Sequence, residues 1–139
     1  MNDLDTIRHI LQMKTIAVVG FSPNNQRPSH YVSIYLKQHG YHIIPVNPGY
    51  KEIAGMNCYP TLESINEPID IVDIFRRSEF VPPIVDSALS IDAKAIWMQD
   101  SVIHEEAAIK ARKDGIFVVM NDCILRQHQN FKNDLHNGL

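Results

Sequence analysis

A chain of 139 residues with 45% hydrophobic and 21% charged residues has the size and composition of one globular domain, which excludes disordered and fibrous classes. Its formal net charge of -3 argues against a nucleic-acid partner, because neutralising a phosphate backbone calls for a basic excess, so any anion site has to be local. Cys58 and Cys123 are far apart and belong to no CxxC pair, which excludes a disulfide scaffold or a zinc site, and no apolar run approaches the ~20 residues of a membrane span.

The segment Met1 to Thr6 has two aspartates and no cationic flank before an apolar run, so it is not a secretory signal. Reduced thiols and a cytoplasmic location are expected. Leu4 to Met13 places Leu4, Ile7 and Ile10 or Leu11 on one helical face, with Asn2 and Asp3 as caps. Ile16 to Val19 is an uninterrupted apolar run ending at Gly20, the pattern of a strand buried on both faces of a parallel sheet. After a polar stretch, Ser29 is expected to cap a helix with Val32, Leu36 and Tyr35 facing inward and Gly40 as its stop.

Tyr41 to Val46 reads as the next strand, closed by Asn47-Pro48-Gly49, and an irregular passage runs through Gly55 to Tyr59. Pro60-Thr61 opens a small helical turn ending near Ile65. Ile69 to Phe75 is a buried strand, and the helix marked by Val81, Val85, Ala88, Leu89 and Ile91 keeps Pro82 and Pro83 in its first turn, where proline is tolerated. Ala93 to Met98 is a strand, Val102 to Asp114 a helix stopped by Gly115, and Ile116 to Met120 the last strand. A final helix begins near Ile124, with the polar tail after Phe131 expected to fray.

Strands alternating with helices predict a single Rossmann-like α/β domain over residues 1–139, three layers deep, with about five mainly parallel strands. Ligands of such sheets bind outside the carboxyl ends of the strands, at the topological switch point. The loops beginning at Gly20, Val46, Phe75, Met98 and Asn121 are therefore the candidate site.

In the first loop Gly20 permits a sharp turn, Ser22 offers a hydroxyl and Arg27 a bidentate cation beside a helix start, which makes a ready anion site. The alternative is a tight-turn glycine and a solvated arginine. The loop is not GxGxxG, because Ser22 and Asn25 stand where glycines belong, and Asn47 ends the second strand where NAD folds place Asp or Glu. NAD is disfavoured; NADP is less so, since Lys51 or Arg27 could meet its extra phosphate. Arg76 and Arg77 stand at a second helix start and either reinforce the cationic site or pair with Glu79.

Catalytic groups are poorer. His104-Glu105-Glu106-Ala107-Ala108 lacks the second histidine of HExxH, and His30, His39 and His42 are expected at the surface. Cys123 is either a reactive thiol at a helix N-terminus or a buried small hydrophobe. No catalytic or metal-binding residue is assigned.

Several ordered motifs cover most of the chain: Val18-Val19-Gly20-Phe21-Ser22-Pro23 with Arg27-Pro28-Ser29; Gly40-Tyr41; Pro45-Val46-Asn47-Pro48; Glu52-Ile53-Ala54-Gly55; Asp70-Ile71-Val72-Asp73-Ile74-Phe75-Arg76-Arg77; Ala95-Ile96-Trp97-Met98-Gln99; Glu105-Glu106-Ala107-Ala108; and Cys123-Ile124. With these motifs the sequence resembles the small stand-alone CoA-binding proteins related to the CoA-binding N-terminal domain of succinyl-CoA synthetase α subunits and ADP-forming acyl-CoA synthetases. The resemblance implies coenzyme A in the crevice. Gly20, Phe21, Ser22, Arg27 and Ser29 would line its phosphates and pantetheine, and Asn47, Pro48 and Lys51 would meet the adenosine 3′-phosphate. Phe75, Arg76 and Arg77 would flank it, with Met98 and Gln99 at the next strand end.

The chain departs from the family pattern after Gln99, where Asp100-Ser101 replace a Leu-like residue and a glycine. A loop without its glycine is expected to admit the pantetheine arm less closely, and Asp100 to repel phosphate. Gln127 replaces a glutamate, so no acid–base role is expected there. The resulting reading is a module that binds CoA or acyl-CoA without catalytic machinery of its own. It would serve as a carrier, a sensor or a subunit, because no residues remain for the phosphohistidine and nucleotide-grasping domains of the synthetases. Self-association or a separate protein partner stays open. The alternatives are an NADP-dependent reductase and a redox protein in which Cys123 exchanges with the CoA thiol.

Overall fold

The computed structural model describes residues 2–136 and turns each expected apolar run into a strand. In chain order the strands are β1 (Thr15–Val19), β2 (His42–Val46), the short pair β3 (Glu52–Ile53) and β4 (Met56–Asn57), β5 (Ile71–Ile74), β6 (Ala95–Met98) and β7 (Phe117–Val119). The helices are α1 (Leu4–Leu11), α2 (Pro28–Gln38), α3 (Val81–Ser90), α4 (Glu105–Lys113) and α5 (Ile124–His136). Five strands pair in parallel in the order β2-β1-β5-β6-β7, a Rossmann-like α/β fold. The chain moves outward from β1 to β2 and then returns to the other edge of β1 as β5, so the switch point lies between β1 and β5. Val19 lies opposite Val46 and Ile74, and Ile74 opposite Met98, so four strand ends finish level and their loops share one edge.

Side chains alternate across this sheet into two apolar layers. Ala17, Val19, Val72, Ile74, Ile96 and Met98 pack with Val81, Val85 and Ala88 of α3 and Ala107, Ala108 and Ala111 of α4. Ile16, Val18, Ile71, Ala95 and Trp97 pack with Ile7, Ile10 and Leu11 of α1, Val32 and Leu36 of α2, and Ile124 of α5. Each fully buried Val, Leu or Ile contributes roughly 1.5–3 kcal/mol, so both layers are needed to hold the loops in place. Asp73 interrupts the pattern. It sits between Val18 and Trp97 in register, is fully buried, and neither carboxyl oxygen has a partner among the described residues. Burial pushes its pKa well above the usual carboxylate range, so the group is held neutral.

Several local expectations change. Asp3 caps α1, accepting from the Asp5 and Thr6 amides at 3.4 and 3.3 Å, but Asn2 is no cap. Its amide binds the backbone of Met120 at 2.8 and 3.0 Å, clipping the start of the chain to the end of β7. Ser29 does not cap α2: Pro28 suits the first helical position through its fixed φ and missing N–H, so the helix starts two residues earlier with Arg27 as its cap residue. The irregular passage contains the β3–β4 hairpin, turned by Ala54 and Gly55 with φ of 52° and 77°. Val102 is buried outside any helix, because the His104 ring accepts from the Ala107 amide at 3.1 Å and starts α4 at Glu105. The segment after Phe131 continues as helix to His136, with Phe131 and Leu135 packed on the core; residues 137–139 of the expected tail lie outside the described residues. Among the described residues no helix is long and apolar enough to cross a membrane.

Candidate functional site

Gly20 closes β1 with φ of 89°, in the left-handed region that favours glycine, and donates its N–H to the Val46 carbonyl at 3.0 Å. A Cβ at this position would lie 2.7 Å from the Phe75 carbonyl oxygen and 3.0 Å from Cδ of Arg76. The loops after β1 and β5 therefore touch at the switch point, and only glycine fits between them. Two clefts meet at this contact and share Gly20 and Arg76.

The larger of the two, about 660 Å³, is walled by Gly20, Ser22, Arg27 and Ser29 from the first loop and by Phe75, Arg76 and Arg77 from the loop after β5. Gln99 to Val102 and then Cys123 and Leu125 form its far end. The smaller, about 510 Å³, lies between the end of β2 and α3 and includes Asn47, Pro48, Thr61, Glu63, Pro83 and Ser87. Both volumes suit small-molecule ligands. A cleft of about 750 Å³ opens at the opposite edge of the sheet among Lys14, His39, Tyr41, His128 and Lys132. It lies beside the C-terminal ends of α1 and α2, whose carbonyl dipoles disfavour an anion, and this makes the carboxyl edge the better candidate.

Three residues expected in the site line neither cleft: Phe21, Lys51 and Met98. Phe21 is completely buried, with its ring edge-on to His30 at 5.5 Å, and anchors the first loop beneath α2. Met98 is equally buried, on the α3 and α4 side, because the parity of β6 turns it into the core. Lys51 is exposed ahead of β3. Asn47 is committed to structure: its Nδ2 donates to the Phe21 carbonyl at 3.0 Å and its Oδ1 accepts from the Gly49 amide at 3.0 Å.

The first loop is tied down by its own helix. The buried Ser29 hydroxyl accepts from the Ser22 amide at 2.9 Å, and the His30 ring lies 2.9 Å from the Ser22 carbonyl, so His30 is half-buried rather than a free surface group. Arg27 stands at the N-terminus of α2, where unpaired amides favour an anion. Arg76 stacks on Phe80 at 4.6 Å, and among the described residues no carboxylate pairs with Arg27 or Arg76. Arg77 does pair with Glu79, at 3.6 Å between exposed side chains, a contact too solvated to neutralise it strongly.

The loop after β6 folds around both of its departures from the family pattern. Ser101 adopts φ of 70°, the conformation a glycine would take, held by the Asn121 side chain accepting from its N–H at 2.8 Å and by Ser78 donating to its carbonyl at 3.3 Å. Asp100 is gripped by Arg126 through both oxygens, at 3.1 and 2.8 Å, and this hydrogen bonding holds its carboxyl below the usual range. The same guanidinium also pairs with Asp122 at 3.0 Å, so one cation serves two carboxylates and offsets the Asp100 charge in part. Sequence separation of 26 residues hid the pairing; Tyr31, Thr61 and Ser87 also line the walls, without a sequence signal of their own.

Over residues 14–129 the chain matches the family model described as a CoA binding domain. It is similar to the uncharacterized protein YneT of Bacillus subtilis, 43% identical over 123 residues, spanning 88% of this chain and 91% of that protein. A hypothetical protein from Pyrococcus horikoshii shares the fold with a TM-score of 0.89 and 38% identity, covering 93% of this chain and 92% of that one. An ADP-forming acetate–CoA ligase of Archaeoglobus fulgidus is 26% identical over 121 residues, which is 80% of this chain but only 18% of the ligase. The family match begins just before β1, ends within α5 and takes in the loops that wall both clefts: this chain belongs to the CoA binding domain family.

Proposed function

We propose that the chain binds coenzyme A, free or acylated, along the carboxyl edge of the sheet. The observation that carries this reading is the junction at Gly20, where two clefts meet beside Arg27 and Arg76, which pair with no carboxylate among the described residues, in a chain that is net acidic. Gly20, Ser22, Arg27 and Ser29 hold the phosphates, with Arg76 and Arg77 facing them from the loop after β5. Asn47 and Pro48 border the adenosine end, and Lys51, exposed ahead of β3, reaches toward the 3′-phosphate. Phe75 and Gln99 line the path of the pantetheine arm. Phe21 and Met98 act from beneath, by fixing the loops that bear these groups. A cytoplasmic carrier, a sensor of CoA state and a subunit of a separate catalytic partner all fit this chemistry.

NADP has less support, because Asn47 spends its amide on Phe21 and Gly49 and stands where a ribose-binding carboxylate would be expected. Thermal unfolding with CoA, acetyl-CoA, dephospho-CoA, NAD and NADP in parallel discriminates the readings. Ligand at about 100 times its dissociation constant adds roughly 2.7 kcal/mol and moves the midpoint by several degrees. CoA and acetyl-CoA are expected to produce that shift and dephospho-CoA a smaller one. A shift with NADP alone would overturn the proposal.

A further inference from the structure

Resting on the CoA reading, we propose that Gln99 and Cys123 receive the thiol end of the ligand, and that Cys123 forms a mixed disulfide with the pantetheine sulfur when the ligand arrives as a CoA disulfide. Cys123 is half-buried, immediately precedes α5 and lines the larger cleft. Cys58 is buried away from both clefts, its thiol pushed up by burial and placed 3.5 Å from the Asn47 carbonyl. Of the two thiols, Cys123 alone faces the site.

Gln99 supplies an independent sign of a ligand. It is only 5% exposed, and its Oε1 accepts from the Ile124 amide at 3.2 Å. Because that partner is a donor, the oxygen is assigned by chemistry, and the Nε2 group is left pointing elsewhere. Nε2 donates to no protein group among the described residues, yet it is not sealed in the core and Gln99 forms part of the cleft wall. With Nε2 still reachable and Gln99 in the cleft wall, a pantetheine amide or thioester carbonyl entering there would be an acceptor of the right kind.

The strand order supports the direction of the ligand. Asn47, Gly20, Arg76, Gln99 and Cys123 follow β2, β1, β5, β6 and β7 in turn, a walk of four inter-strand steps or about 19 Å. Phosphates anchored at the β1–β5 junction leave the thiol end to run across β6 toward Cys123, where Val102 and Leu125 make the wall apolar.

The exchange is balanced. The Cys123 thiolate attacks one sulfur of the CoA disulfide, the Cys123–CoA disulfide forms as the CoA–CoA bond breaks, and one CoA departs as a thiolate that takes up the proton Cys123 released. No further oxidant is required.

The test incubates the whole protein with CoA disulfide or with glutathione disulfide and follows adducts by intact mass and peptide mapping, while thermal unfolding of reduced wild type with CoA checks binding separately. The expected result is one adduct on the Cys123 peptide, absent from Cys123→Ser, forming at least about tenfold faster with CoA disulfide because the cleft concentrates that reagent. Gln99→Glu keeps the acceptor for Ile124 but loses the donor, and is expected to slow the adduct. Equal rates with both disulfides, or an adduct on Cys58, would overturn the thiol-end assignment while a CoA-induced thermal shift left the binding reading standing. Absence of that shift would overturn the binding reading instead.

Discussion

Replacing Asp73 with asparagine is expected to raise stability at pH 8 while leaving it nearly unchanged at pH 4. The carboxyl is fully buried without a partner among the described residues, and its pKa is raised well above 3.8 by desolvation. Between the unfolded value and the raised folded one, the unfolded chain is ionised and the folded chain keeps its proton. Unfolding then releases a proton, so the contribution of Asp73 to stability is greatest below about pH 3.8 and falls by ~1.4 kcal/mol per pH unit as pH rises through the window. Asparagine has nearly the same shape and no titration. Any cost of its extra amide proton is independent of pH, so the slope of the difference between the two proteins isolates Asp73. Urea unfolding of both at several pH values measures it, and a difference that stays flat from pH 4 to pH 8 would contradict a neutral buried carboxyl.

Gly20→Ala is expected to destabilise the protein by about 2–5 kcal/mol and to weaken CoA binding. Roughly 1–2 kcal/mol of this comes from placing a Cβ on a left-handed residue. About 1–3 kcal/mol more comes from overpacking, because the Cβ would sit 2.7 Å from a backbone oxygen that cannot swing aside. Gly40→Ala is the control: its φ of 94° is similar, but nothing lies within 4 Å of the added carbon, so only the conformational cost applies. Denaturant titration of the two variants separates strain from collision. Equal losses would show that the loops after β1 and β5 do not press together at Gly20.

The strands were legible because a parallel sheet covered on both faces demands unbroken apolar runs, and Ile16–Val19 and Ala95–Met98 are such runs. The location of the site followed from topology, since Gly20 and Arg76 had to emerge at the switch point once β1 and β5 were neighbours. Side-chain direction at strand ends was harder to read. Phe21 and Met98 are adjacent in sequence to cleft residues but point into the core, one step of parity away from Ser22 and Gln99. Interactions between distant segments left no local trace: Arg126 with Asp100, Asn121 with Ser101, and Asn2 with Met120 are each set by packing of the whole sheet. Asp73 did leave a signal, a lone acid within Ile71–Ile74, but only its burial reveals that it lacks a partner.

The central claim is that cationic groups at the Gly20 junction hold the phosphates of CoA, and calorimetric titration of wild type and Arg76→Glu with CoA tests it most directly. The account predicts one CoA per wild-type chain and an affinity at least about a hundredfold weaker in the variant, with folding confirmed by circular dichroism. Equal affinities for the two proteins, or no binding by the wild type, would contradict it.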